Sequence, residues 1–206
     1  MNTTDVKYNG QIKSFEEMLV LAREQFEEYE KIEGIDDWSK YDFSIDCSCD
    51  QMKFKDMLQI RFIEELTEAS TAIDDCEEHF WEEIGDALNF FLSAYIMCGA
   101  DFNKLKDPQE FLPLSGNKER ITSTSKFSLE AYPVIEAVGS LCNLLKNRPW
   151  TESNFLVSMY DFNIRLSRLW DRFWTFMGNM NLTRDDVFEM FYKKLKVNEH
   201  RRSTGY

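Results

Sequence analysis

Glycine and proline are scarce in this chain, with 8 and 4 among 206 residues. So little punctuation excludes an architecture of many short strands joined by tight turns, and favours long helices. Positive charge is also in deficit. There are 24 Lys and Arg against 37 Asp and Glu, a net charge of −13. That balance excludes a general binder of duplex nucleic acid, which needs a cationic surface. Long apolar runs are missing as well. The most apolar segment, Ala87 to Cys98, is too short for a membrane span and contains Asn89 and Ser93. Cys47-x-Cys49 beside only two histidines is a weak zinc candidate, because the ligand spacing is incomplete. The five cysteines form an odd set at irregular intervals, as expected of reduced thiols. With no charged-then-apolar leader at the N-terminus, a cytoplasmic location is expected.

Material for a core is plentiful. Apolar residues make up 43% of the chain and aromatics 15%, with 17 Phe, so an all-α globular domain is expected over residues 1–206. Ser14 with Glu17 caps a helix to about Lys31, whose Phe15, Met18, Leu19, Ala22 and Phe26 recur at helical spacing. Residues 33–51 lack a clean period and carry Trp38, Tyr41 and Phe43, the pattern of an aromatic loop able to act as a lid. A second helix is expected from about Met52 to Asp75, and a third from Glu77 to Met97, ended by Gly99. The main loop, Lys104 to Lys126, divides a first half (about 14–100) from a second helical half (about 128–206). In the second half the pattern predicts helices over Leu129–Lys146, with Pro133 in the first turn or at a kink, and over Thr151–Met177. A last helix is opened by Thr183 and Asp186. The total is about six helices.

Two acidic pairs stand out, Glu65-x-x-Glu68 and Glu83-x-x-Asp86. Carboxylates three apart on a helix share a face, because a turn takes about 3.6 residues. With 37 acidic residues in the chain, such pairs also arise by chance, as Glu27 and Glu30 do, and solvated surface is their ordinary explanation. Position makes these two different. They lie on neighbouring helices joined by a short connection, so antiparallel packing brings them together. The second pair also opens the most apolar helix of the chain, where solvated charge is not expected. Glu82, Asp86, Asn89 and Ser93 form a polar stripe along that helix, and buried polar groups need partners. Four converging carboxylates repel one another unless hard divalent cations sit among them.

The pattern E-x-x-E, 14 intervening residues, then E-x-x-D resembles the signature of the all-α nucleoside triphosphate pyrophosphatases. That superfamily includes the MazG-like enzymes and the dimeric dUTPases. The following segment, ALNFFLSAYIMCG, is similar to the dUTPase branch. So is the closing segment FYKKLKVNEHRRSTGY, in which Tyr192, Lys194, Asn198, Arg201, Gly205 and Tyr206 match the terminal motif of dimeric dUTPases and phage dCTP/dUTP pyrophosphatases. The resemblance covers about Phe54 to Tyr206. It implies a MazG-like helical bundle and Mg²⁺ ligands at Glu65, Glu68, Glu83 and Asp86, for two or more ions with Mn²⁺ as a possible substitute. It also implies hydrolysis of a deoxynucleoside triphosphate to the monophosphate and pyrophosphate, dUTP before dCTP or a modified pyrimidine. The four carboxylates would carry the catalysis.

Substrate contacts are expected from Asn89, Lys194, Asn198, Arg201 and Tyr206, with Glu64 and Glu82 supporting the ligands. The basic residues Lys193, Lys194, Lys196, Arg201 and Arg202 form an island in an acidic protein, and a run extending past the last helix would suit a triphosphate. The N-terminal helix departs from the dUTPase pattern, placing Ala22, Arg23 and Phe26 near the positions where relatives read uracil; the lysine-bearing W-K-x-W-K segment is missing too. Apolar surface on the third and fifth helices exceeds what one subunit readily hides, so a homodimer is expected, in agreement with the family. The competing reading is a non-catalytic acidic helical protein that binds a repressor or regulatory partner, for which neither Mg²⁺ nor the basic tail is needed.

Overall fold

The structure is a computed structural model and describes residues 1–35, 41–43, 49–73, 76–115, 123–145 and 158–205. It is all-helical among those residues. Seven α-helices follow in order: α1 (Phe15–Ile32), α2 (Cys49–Lys55), α3 (Ile63–Ala72), α4 (Glu77–Met97), α5 (Thr124–Leu144), α6 (Met159–Asn179) and α7 (Arg184–Thr204). A π-helical turn, Asp56–Phe62, joins α2 to α3. The second expected helix is therefore real but divided, which raises the number from about six to seven. Its last two expected residues, Asp74 and Asp75, lie outside the described residues.

Local chemistry accounts for most boundaries. The Ser14 hydroxyl accepts from the Glu17 amide at the start of α1. Thr183 and Asp186 form a reciprocal capping box at the start of α7, as the spacing predicts. Gly99 takes φ +65° just past α4, a left-handed conformation that needs no Cβ. Three boundaries differ from expectation. α5 begins at Thr124, so Pro133 lies inside the helix and not in its first turn. α6 begins at Met159; the expected start near Thr151 lies outside the described residues. α7 continues through the basic segment to Thr204 and ends on Gly205 at φ +69°. The cations that were expected beyond a helix end are thus inside one, with Arg201 and Arg202 in the last turn, where they complement the helix dipole.

α4 is the centre of the molecule. α1, α3, α7 and the π-helical turn all pack against it, and α5 pairs with α6. The aromatic core spans these layers. Phe91 of α4 stacks on Phe173 of α6 with ring centroids 4.0 Å apart, and Phe62 packs against both. Tyr95 donates to the Leu166 carbonyl at 2.5 Å, and the Trp170 indole donates to the Lys106 carbonyl at 2.8 Å. These bonds satisfy polar groups carried into the core. At Gly178 a Cβ would lie 2.1 Å from the Phe111 carbonyl oxygen, so the loop after α4 approaches α6 through the absence of a side chain.

Of the apolar residues behind the homodimer expectation, Phe91 and Leu92 on α4 and Phe162, Trp170 and Phe173 on α6 are buried within the single chain, whereas Met159, Tyr160 and Ile164 at the start of α6 are exposed. Of the aromatic loop, Tyr41 and Phe43 are described and Trp38 is not. Phe43 packs on Phe54 and Phe162; the Tyr41 hydroxyl donates to Glu30, and Lys53 bonds the same carboxylate at 2.7 Å. Cys49, Cys76, Cys98 and Cys142 are free thiols. Among the described residues no helix is long and apolar enough to cross a membrane.

Truncating Phe91 to Ala removes the ring that joins α4 to α6 and should cost ~3–5 kcal/mol of unfolding free energy. Urea denaturation of the two proteins measures this difference, and a loss below ~1 kcal/mol would show that the stack is not a main contact between the layers.

Candidate metal centre

α3 and α4 form an antiparallel pair, and the connection between them places Glu65 opposite the first three turns of α4. One carboxylate oxygen from each of Glu65, Glu83 and Asp86 comes within 4.8 Å of the other two. Glu83 is buried, and Glu65 and Asp86 are half-buried. Glu68 is exposed, one turn beyond Glu65, and its charge acts on Glu65 from outside the converging set. Three of the four expected ligands therefore meet in the chain by itself, and the fourth stands at their edge.

The electrostatics follow from that crowding. Glu65 has its carboxyl pushed up to about 8, first by burial, then by a hydrogen bond with Glu83 and by the charges of Asp86, Glu83 and Glu68. Burial raises Asp86 as well, and the Lys194 ammonium only partly offsets the rise. Lys194, 4% exposed, reaches from α7 to form an ion pair with Asp86. On the opposite side, His79 Nε2 lies 2.6 Å from Glu83 Oε1. Glu83 thus has His79 beside it and Asp86 has Lys194, whereas the neighbours acting on Glu65 are carboxylates.

The expected supporting and substrate residues are distributed around this cluster. Glu64 is exposed and pairs with Arg61 at 3.7 Å, facing away from Glu65's partners. Glu82 is half-buried, and its charge bears on Asp86. It also lines a cavity of about 350 Å³ between the start of α4 and the start of α7, together with Glu78, Trp81, Met190 and Lys193. Asn89, one turn along α4 from Asp86, has a buried amide nitrogen with no hydrogen-bond partner. Asn198, one turn along α7 from Lys194, is also buried. Arg201 is exposed in the last turn of α7, and Tyr206 lies outside the described residues. The other tail cations are engaged with carboxylates: Lys193 with Glu189 at 2.6 Å, Lys196 with Glu199 at 2.7 Å and Arg202 with Glu28 at 2.6 Å. The basic island is therefore largely neutralised, and Lys194 is its member that reaches the cluster.

Gln25 on α1 was not among the expected residues. It is buried, and its side-chain oxygen has no partner. α1 and α7 run side by side in the same direction, with Phe15 against Phe188 (centroids 5.0 Å apart) at one end and Glu28 bonded to Arg202 at the other. Gln25 and Asn198 each lie ten residues beyond those rings, so equal helical rise brings them to the same level. Asn89 and Asn198 each follow a member of the Asp86–Lys194 pair by one turn on their own helices. The signal was present in the sequence: Gln25 follows Met18 and Ala22 at helical spacing, a polar residue on the inward face of α1.

Comparison of the chain with known protein families, with curated proteins and with solved structures found no match. Geometry and chemistry therefore carry the functional argument.

Carboxylate oxygens are the preferred donors of Mg²⁺ and other hard divalent cations, and three of them on two rigid helices fit such an ion. The raised Glu65 supports the fit, because a cation among these oxygens relieves the repulsion that otherwise retains a proton there. The sign of the pH dependence follows. Glu65 titrates at about 8 in the folded chain against an ordinary 4.5. Its contribution to stability is complete below the ordinary value and is lost as pH rises through about 8. Metal-free protein should accordingly melt at a lower temperature above pH 8 than near neutrality. Glu65→Gln should flatten that slope, and Mg²⁺ should restore the melting temperature at high pH. Calorimetric melting across pH measures all three, and identical slopes for wild type and Glu65→Gln would rule out crowding at this carboxylate.

Proposed function

We propose that the chain is a divalent-metal-dependent pyrophosphohydrolase that converts a deoxynucleoside triphosphate to the monophosphate and pyrophosphate. The observation that carries the reading is the convergence of Glu65, Glu83 and Asp86 on one point, with Lys194 bonded to Asp86. Mg²⁺, with Mn²⁺ as a substitute, would be held by Glu65, Glu83 and Asp86, with Glu68 at the edge for a further ion. When bound, such ions neutralise phosphate charge and lower the pKa of a coordinated water. Lys194 supplies a fixed positive charge at the α7 side of the cluster, where a phosphate oxygen gains a charge-assisted hydrogen bond. Arg201, exposed one turn beyond Asn198, is the second cation of the same helix available to the triphosphate.

The buried amides support a nucleoside as the substrate's other end. Gln25 offers an unpaired acceptor and Asn89 an unpaired donor, the complement of the donor and acceptor edge of a pyrimidine. Unpaired buried polar atoms cost folding free energy, and a base that pairs with them recovers it on binding. dUTP is the first substrate on this reading, then dCTP or a modified pyrimidine. The cavity beside Glu82 and Lys193 is of the size small ligands occupy, and it lies next to the cluster without being lined by Glu65, Glu83 or Asp86.

Pyrophosphate release from a panel of deoxy- and ribonucleoside triphosphates, with Mg²⁺ and then with EDTA, tests the proposal. Turnover of a pyrimidine deoxynucleotide that EDTA abolishes is expected, and Glu65→Gln should lower it by at least about 100-fold while the protein stays folded. No turnover of any member of the panel would sink the assignment. Asn89→Ala should raise KM for the preferred nucleotide about tenfold and leave kcat nearly unchanged, since it removes a contact made equally in ground and transition states. Steady-state kinetics on the best substrate show whether the loss falls on KM or on kcat.

A further inference from the structure

We infer that His79 is a positioning residue for Glu83 and that, by engaging one oxygen of that carboxylate, it biases the centre toward Mg²⁺ over Ca²⁺; the inference rests on the metal-centre reading above. His79 Nε2 lies 2.6 Å from Glu83 Oε1, four residues apart on α4. The imidazole is not one of the groups whose donor atoms converge with Glu65 and Asp86. It stands on the solvent side of Glu83, 53% exposed at its side chain against 9% for its partner. A half-exposed donor bonded to a buried carboxylate that faces a carboxylate cluster is the arrangement by which outer groups orient metal-binding side chains.

An ordinary surface pair does not account for it. Residues in the first turn of a helix gain from negative charge, as Glu77 and Glu78 do here, and a histidine gains nothing there from the dipole. The bond also does not join two exposed groups, since its acceptor is buried. The consequence for the metal is chemical. An oxygen already engaged by an imidazole nitrogen 2.6 Å away is a poorer donor to a cation, which would leave Glu83 its other oxygen to offer. Mg²⁺ accepts single-oxygen carboxylates in a tight octahedron, whereas Ca²⁺ favours six to eight ligands and often takes both oxygens of a carboxylate. Holding Glu83 to one free oxygen therefore favours the smaller ion. Lys194 does the corresponding work for Asp86 from the other helix, so the two α4 ligands are each restrained by one neighbour.

The test is calorimetric titration of the intact protein with Mg²⁺ and with Ca²⁺, without nucleotide, for wild type, His79→Ala and His79→Gln, with melting of each metal-free protein to confirm folding. His79→Ala should weaken Mg²⁺ at least about tenfold and Ca²⁺ far less, so the preference between the ions falls. His79→Gln, which keeps an N–H donor, should recover most of both. Equal Mg²⁺ affinity in wild type and His79→Ala overturns the inference and leaves the metal centre standing. Equal weakening of both ions, or equal impairment by Ala and Gln, also overturns it. Wild type that binds neither ion overturns the metal-centre reading and this inference with it.

Discussion

Repulsion among three carboxylates is the constraint around which this fold is arranged. Glu65, Glu83 and Asp86 are placed where water cannot fully screen them, and burial, together with their proximity, pushes the Glu65 carboxyl up to about 8. Such a cluster separates unless rigid elements hold it. The aromatic core supplies that rigidity: Phe62, one turn before Glu65, packs on Phe91 of α4 and Phe173 of α6. The apolar stack below therefore fixes the spacing between α3 and α4, and with it the distance between carboxylates above. Hydrophobic packing and the candidate chemistry are linked through one ring.

The surrounding groups divide into those that face the cluster and those that complete the helices. Lys194 and His79 each engage one α4 carboxylate. Gln25, Asn89 and Asn198 carry amides into the interior, two of them with buried unpaired atoms. By contrast, Lys193, Lys196 and Arg202 have carboxylate partners on the surface and belong to the ordinary electrostatics of a helical face. One helix, α7, thus carries both kinds, separated by the side of the helix on which each residue falls. The π-helical turn before α3 adds a local change of helical phase just ahead of Glu65. Wide turns of this sort are frequent at functional sites.

Legibility differed by the range of the interaction. Ser14, Thr183 and Gly99 announced helix ends because capping depends on residues three or four apart. The acidic pairs were visible because helical spacing puts them on faces, and their neighbouring helices made convergence the natural outcome. Pro133, which the pattern leaves open between the first turn of its helix and a kink, falls inside α5, whose start at Thr124 was not visible. Nor was the burial of the α4 and α6 aromatics within one chain. Counting apolar residues does not reveal how closely the rings interleave.

The sequence by itself determined the helical class, the caps, the two acidic pairs and the polar stripe along α4, all of which follow from periodicity and local hydrogen bonding. Only the tertiary structure decided that Glu65, Glu83 and Asp86 meet while Glu68 stays at their edge, that Lys194 alone among the tail cations reaches them, and that the Gln25 side chain is buried without a partner for its oxygen. Those outcomes depend on the relative rotation and register of packed helices. Contacts between residues far apart in the chain set that register, and the spacing of residues along it does not.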